Sequence, residues 1–516
     1  MSFNAVTLLT TDLRHHIASL GQHGGAICPS IYDTAQVLRF CPPREGIQSA
    51  LDWLRTQQYD DGGWGSPAIP RARTMPTLAA VLALHTHGIT SADRNSVNKG
   101  LVFLRSDVAQ WLTPLPEELP AGVELLLPRL LADASRAGLD VPHELTATIT
   151  DLARHRRKGL AQMRPRGGTT AVHSWEAWGT EPDPALLDGA GSIGHSPAAT
   201  AAWLAAAAAR PDLEDARAAC RAYLADAAAA TGLGIPGVVP TAWPIQRFEQ
   251  SFGLYILLLA GLLDHPSLQD VVRPQIDALT RALRPEGIGF SDWFAPDGDD
   301  TAAALAVLQA SGRRVDLAVL NHFVHDDHFT SWQGELQAGV SVTAHALHAL
   351  ALSKAPVERY LPHLLAHQQP DGRWLGDKWN ASWLYTTWQA TVVLLGTKHA
   401  ALARQAAAAL LAHQYPDGSW GMADGTREET AYGVLALRAV QRGGIRSEAI
   451  SDALRRAERW MRTHYRPLAV DTTALWLAKE SYRALRLSRI IELAATLPAP
   501  DEHDIVIYER VQYAAA

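Results

Sequence analysis

One short pattern recurs along this chain and constrains its architecture more than any other feature. Gln57-Gln58-Tyr59-Asp60-Asp61-Gly62-Gly63-Trp64-Gly65 returns as Gln368-Gln369-Pro370-Asp371-Gly372-Arg373-Trp374. It returns again as Gln414-Tyr415-Pro416-Asp417-Gly418-Ser419-Trp420-Gly421. A degenerate copy, Asp188-Gly189-Ala190-Gly191-Ser192-Ile193, lies between. Asp-Gly favours a turn with positive φ, the Trp packs under it, and the Gln at a helix end bonds free backbone groups. The tryptophans of the last two copies stand 46 residues apart (420 − 374), the length of a helix pair with its turns. The repeats therefore predict stacked helical hairpins closing into α/α barrels. Copies near both ends predict two barrels.

The rest of the sequence agrees with an all-α fold. Residues 301–310 and 401–411 carry helical spacing, and alternating runs of β-branched residues are few. A length of 516 residues suits two or three domains with large cores. Net charge is −7, without a Lys/Arg stripe interleaved with aromatics, so nucleic acid is not an expected partner. Cys28, Cys41 and Cys220 form no C-x-x-C and are odd in number. That argues against a disulfide framework or a thiolate zinc site and fits a reducing, cytoplasmic compartment. The first dozen residues lack the pattern of a signal peptide. The longest apolar runs, 252–263 and 198–209, are too short to span a bilayer. Sixteen tryptophans against nine phenylalanines supply both core and electron-rich walls for a site.

Chemistry concentrates at Asp297-Gly298-Asp299-Asp300-Thr301-Ala302. The preceding Phe290-Ser291-Asp292-Trp293-Phe294-Ala295-Pro296 reads as a loop, and Thr301 onward reads as helix, with Asp300 as the expected N-cap. Three carboxylates at one loop end repel one another. If they are buried, at least one holds its proton near neutral pH and can act as a general acid. On this run alone, a helix cap or a divalent-metal loop remains the competing reading.

The flanking blocks carry a resemblance. Asp297–Ala302 is similar to the D-x-D-D-T-A element of class II terpene cyclases, above all those of the bacterial copalyl diphosphate synthase type. Ser30-Ile31-Tyr32-Asp33-Thr34-Ala35 resembles their S-x-Y-D-T-A. Pro116-Glu117-Glu118-Leu119-Pro120-Ala121-Gly122-Val123-Glu124 resembles their acidic magnesium-associated stretch. His173-Ser174-Trp175-Glu176-Ala177-Trp178, residues 192–199, Trp243-Pro244-Ile245, Phe248-Glu249, Asp377-Lys378-Trp379 and Trp476-Leu477-Ala478-Lys479-Glu480 extend the series. Together the blocks cover about residues 24–492.

The resemblance implies two α/α barrels: residues 1–45 with 246–516 forming one, and 46–245 forming an inserted second. It implies a class II diterpene cyclase, an isomerase. Asp299 would protonate the terminal alkene of an isoprenoid diphosphate, tuned by Asp297 and Asp300. Geranylgeranyl diphosphate is the expected substrate, and the expected product is a copalyl-type or rearranged bicyclic diphosphate. Farnesyl diphosphate, giving a drimane, is the alternative. Trp332, Trp379, Trp383, Tyr385 and Trp388 are the candidate cavity walls, since aromatic faces attract cations without attacking them. His173 would serve deprotonation. Thr241 stands where members making ent-copalyl diphosphate have an Asn, which opens the product's stereochemistry. Lys479 and Arg483 are the expected diphosphate contacts, and Mg2+ would be shared with Glu117, Glu118 or Glu124.

No class I D-D-x-x-D occurs; Asp326-Asp327-His328-Phe329-Thr330 fails at its last position. The product should keep its diphosphate and pass to a class I terpene synthase or a phosphatase, and the greasy substrate leaves room for peripheral membrane contact. A protein prenyltransferase β-subunit would need a zinc-ligating Cys in the later half, where this chain has none. An α/α barrel with paired acids also admits an inverting glycosidase, and the repeats by themselves admit a non-enzymatic helical scaffold.

Overall fold

A computed structural model describes residues 3–112, 119–335, 337–397, 399–466 and 473–498. Two closed rings of helices organise them. In the larger, Gln246–Ala260 packs on Gly298–Ala310, which packs on Val340–Leu352, then Trp383–Leu395, Arg427–Arg442 and Leu485–Thr496 in turn. The last returns to Gln246–Ala260 and closes the ring. These inner helices are apolar nearly all round, as burial on every face demands; every residue from Gly298 to Leu308 is buried. The outer layer contains Phe3–Ala18, Gln269–Ala282, Leu361–Ala366, Ala400–Ala412 and Glu448–His464. Its members are one-sided: Glu448–His464 buries Ile450, Ala453, Leu454, Ala457, Trp460 and Met461, at helical spacing.

The smaller ring runs Ile31–Phe40, Thr74–His87, Val123–Arg136, Trp175–Trp178 and Pro197–Ala206, the last closing on the first. Ile47–Thr56, Ser91–Leu112, Thr150–Gln162 and Glu214–Ala230 lie outside it. Ile31–Phe40 thus belongs to this second ring. Its Tyr32, Ala35 and Leu38 join the core of Leu78, Leu126 and Leu130, and that moves the expected division at residue 45 to before Ile31. No described helix is long and apolar enough to cross a membrane.

The repeated turns share one bonding scheme. The indole N–H groups of Trp64, Trp374 and Trp420 each donate to a carbonyl ten residues back, on Leu54, Leu364 and Leu410, at 2.7, 2.8 and 2.8 Å. Their backbone N–H groups donate to the hydroxyls of Thr77, Thr387 and Thr430 at the start of an inner helix. Each turn therefore caps an outer helix and ties it to the next inner one. Gly418 has φ 98°, and a Cβ there would sit 2.7–2.8 Å from the Arg456 backbone and Cβ. Only glycine meets both demands.

Candidate active site

The acid loop closes on itself. Ile288 pairs with Asp297 in an antiparallel bridge, and the Thr301 hydroxyl accepts from the Ile288 N–H at 3.0 Å. Asp297 has extended backbone, and its Oδ1 accepts the Asp300 N–H at 2.7 Å. It is the N-cap, three residues ahead of the Asp300 expected from sequence, because the extended residue precedes Gly298. Asp299 and Asp300 consequently occupy the first helical turn, where unsatisfied N–H groups and the helix dipole favour negative charge.

The three carboxyls differ in their surroundings. Asp297 and Asp300 are each 1% exposed and Asp299 is 9%. Burial, then the neighbouring Asp300 charge, holds Asp297 well above its ordinary 3.8. Its Oδ2 has no hydrogen-bond partner, and an unpaired buried charge would cost far more than a neutral carboxyl. Burial raises Asp300 to about 7, against the lowering effect of a hydrogen bond from the Ser251 hydroxyl.

Asp299 meets His345, a residue that no sequence motif marks. His345 is fully buried, and its Nδ1 lies 2.6 Å from Asp299 Oδ1. Its Nε2 lies 3.3 Å from the Tyr385 hydroxyl. Burial, with Asp299 and Asp377 nearby, keeps the Tyr385 phenol protonated. The consistent tautomer has Tyr385 O–H donating to Nε2 and Nδ1–H donating to Asp299 Oδ1. No described hydrogen bond reaches Asp299 Oδ2.

Rings run onward from this pair in mostly edge-to-face contact. His345 meets Tyr385 (6.2 Å between centroids), Tyr385 meets Trp476 (5.2 Å), and Trp476 meets Phe248 (5.4 Å). Phe290, Trp332 and Trp379 follow at 5.5, 6.2 and 5.5 Å. Trp388 stacks on Tyr432, which adjoins Tyr385. The indole N–H groups of Trp332, Trp379, Trp388 and Trp476 have no hydrogen-bond partner. Asp377 accepts from the Trp379 and Asn380 N–H groups and from Ser341, which fixes the loop bearing Trp379. Trp383 is a correction. It packs on His413 and under the Arg373 guanidinium, away from the acid, because residues two apart on a helix point to opposite sides and Tyr385 faces inward.

A second polar centre gathers the blocks around residues 33, 176, 196 and 479. Lys479 Nζ donates to Glu176 Oε1 and Ser196 Oγ, both at 2.6 Å, and lies 3.8 Å from Asp33. The Tyr32 hydroxyl also donates to Glu176, and the Ala198 N–H to Asp33. Lys479 is 0% exposed, so the expectation that it contacts a diphosphate is corrected: its charge is consumed internally. The hairpin Trp476–Leu477 with Ser481–Tyr482 carries this lysine and, three residues earlier, the Trp476 ring of the aromatic path. Arg483 is corrected likewise. It is buried against Glu492 at 2.6 Å and Glu428 at 3.8 Å.

His173 lies close to this centre. Its Nδ1–H donates to the Gly194 carbonyl at 2.8 Å, which leaves Nε2 with a lone pair. Burial, then the Lys479 charge, lowers it to about 3, so the ring is neutral. Thr241 is buried beside Asp33.

Glu117 and Glu118 lie outside the described residues. Glu124 is buried; Arg156 Nε donates to its Oε1 at 3.0 Å, and its Oε2 has no hydrogen-bond partner. A lone carboxylate oxygen of this kind fits a hard divalent cation. The side chain of Arg156, about a third exposed, also donates to the Gly334 carbonyl, close in sequence to Trp332.

Residues 336–441 match the family model for the squalene-hopene cyclase C-terminal domain. The chain is 47% identical to a (+)-kolavenyl diphosphate synthase of Herpetosiphon aurantiacus over 95% of this chain and 98% of that protein. It is 31% identical to an ent-copalyl diphosphate synthase of a Streptomyces species, over 92% and 93%. Among solved structures, the ent-copalyl diphosphate synthase from Streptomyces platensis superposes with a TM-score of 0.78 at 31% identity, covering 95% of this chain and 99% of that one.

Proposed function

The chain belongs to the class II diterpene cyclases, and from that membership we propose that Asp299 protonates the distal alkene of geranylgeranyl diphosphate, yielding a bicyclic product that keeps its diphosphate. The observation that carries this reading is the pairing of Asp299 with His345. The pair lies at a helix start, beside the aromatic path, and Asp299 is the least enclosed of the three carboxyls. The proton on Oδ2 passes to the alkene, whose electron pair forms the new C–H bond. The carboxylate left behind keeps the Nδ1–H of His345 and the dipole of its own helix. Trp332, Trp379, Trp476 and Tyr385 offer the migrating cation ring faces, whose quadrupoles attract it without a competing nucleophile.

A carbocation is a strong acid, so even a weakly basic imidazole can take its proton. His173, neutral with its Nε2 lone pair uncommitted, is our candidate for that step, and Thr241, buried beside Asp33, is the group that would steer it. Mg2+, when bound, would offset the charge of the diphosphate. Of the three glutamates expected from the sequence, Glu124 is the one described, and its Oε2 would hold the ion, with Arg156 the adjoining cation. The product, retaining its diphosphate, would pass to a class I terpene synthase or a phosphatase.

The test is direct. The purified protein is incubated with Mg2+ and either geranylgeranyl or farnesyl diphosphate, the products are dephosphorylated, and the alcohols are identified by mass spectrometry against kolavenol and copalol standards. A bicyclic twenty-carbon alcohol is expected. Preferred turnover of farnesyl diphosphate to a drimane alcohol would replace the substrate assignment, and linear alcohols alone would reject the activity.

A further inference from the structure

The Asp-Asp-His run that fails as a class I motif has another chemistry available to it. Residues 324–329 form a two-stranded hairpin in which Val324 pairs with Phe329 and His325 with His328. Its turn residue Asp326 has φ 51°, a conformation Asp tolerates better than most residues. The hairpin lies against the outer helix Leu361–Ala366, which carries His363. The Asp327, His328 and His363 ligand atoms all fall within 4.8 Å of one another. His328 Nδ1 is 3.1 Å and His363 Nδ1 is 3.8 Å from Asp327 Oδ1. A tetrahedral zinc site with bonds of about 2.0–2.1 Å has ligand-to-ligand edges of about 3.4 Å. Small side-chain rotations therefore bring the three donors to a shared ion.

We infer that Asp327, His328 and His363 form a surface site for a zinc-class divalent cation, remote in function from Asp299, with water completing the shell. Two imidazoles and one carboxylate suit Zn2+ and its late first-row neighbours; Mg2+ prefers all-oxygen shells. The rings of His328 and His363 stack at 4.5 Å, so both present their edges to the same space. His363 Nε2 is buried with no hydrogen-bond partner, and its Nδ1 stands beyond hydrogen-bond distance of Asp327, so neither nitrogen is committed to a competing bond.

The site joins two segments that no covalent link holds together. At the end of the hairpin the Phe329 N–H donates to the Thr343 hydroxyl, and two residues on the Ser331 carbonyl accepts from the Gly298 N–H at the start of the acid helix. A bound ion would pin the hairpin, and through it this support, to the helix Leu361–Ala366.

The experiment is a competition titration of the purified full chain against a colorimetric zinc indicator in excess Mg2+, paired with thermal denaturation. The expected result is one Zn2+ per chain at micromolar affinity, with a melting temperature that rises with Zn2+ and falls back with chelator. Asp327→Asn and His328→Ala, both on the hairpin, and His363→Ala should each weaken binding at least tenfold. His143→Ala, an exposed histidine of the other ring, should leave it unchanged. Equal zinc affinity in wild type and the His328→Ala/His363→Ala double variant would overturn the site, as would a zinc-induced melting shift that persists in that variant.

Discussion

His345 reaches Asp299 through one nitrogen and Tyr385 through the other, so the part proposed for it is to position the acid. Replacing it with Phe keeps the apolar packing of a fully buried site and removes the Nδ1–H donor. Steady-state kinetics should show kcat lowered about 10²–10³-fold with KM little changed, within the usual range for acid–base contributions. Gln, which restores an N–H donor, should recover part of the loss, and a purely structural residue would not show that split. Asp300 supplies the pH dependence. Once ionised, it opposes a second negative charge on Asp299 as the proton leaves. With its carboxyl raised to about 7, kcat should fall as pH rises through that value. Ser251→Ala removes a hydrogen bond that favours the charged form, so the fall should move to higher pH; an unmoved pH–rate profile would refute the role of Asp300. The sign is the same for stability. A raised carboxyl contributes fully below its ordinary 3.8 and loses that contribution as pH climbs through about 7. Asp299 was legible because its run is contiguous. His345 was not, since it lies 46 residues on (345 − 299) within an apolar helix, and a histidine there reads as core. A polar ring among Val340, Val342, Ala344 and Leu347 was the available signal.

The helical hairpins were legible for a local reason: each Gln, Gly and Trp of the repeat bonds within its own turn or to its adjoining helices. Gln414, for example, donates to the Gly418 and Ala453 carbonyls. Gly418→Ala forces a Cβ onto a left-handed residue that has backbone 2.7 Å away. It should destabilise the protein by about 1–3 kcal/mol in urea denaturation, the usual cost of such strain. A cost near zero would mean that the turn relaxes freely. One further turn carries no such mark in the sequence. At Gly287, φ 113°, the next residue Ile288 donates to the Thr301 hydroxyl as the repeat tryptophans do to theirs, but with no Trp to signal it. The helix Ile31–Phe40 was misassigned because ring membership is a matter of distant contacts, and its burial pattern suits either core equally.

At the scale of the whole molecule, the hairpin 476–482 links the aromatic path beside the acid to the buried charges of the smaller ring. Lys479 holds Glu176 and Ser196 there. The sequence marked Lys479 as special, but it could not say whether the lysine's partner would be a ligand or another buried side chain. Lys479→Met strips the counter-charge from two buried carboxylates and should cost about 3–5 kcal/mol in denaturant unfolding. A stability equal to wild type would return the lysine to the role of a free diphosphate contact. The rings, the hairpin and the acid helix together serve one claim, that the reaction begins with a proton from Asp299 and leaves the diphosphate in place. Its most direct measurement compares wild type with Asp299→Asn on geranylgeranyl diphosphate, following cyclised product and released pyrophosphate together. Wild type should give cyclised diphosphate without pyrophosphate, and the variant should lose at least about 10³-fold in rate with its fold intact. Pyrophosphate released in step with cyclisation, or cyclisation undiminished in Asp299→Asn, would contradict it.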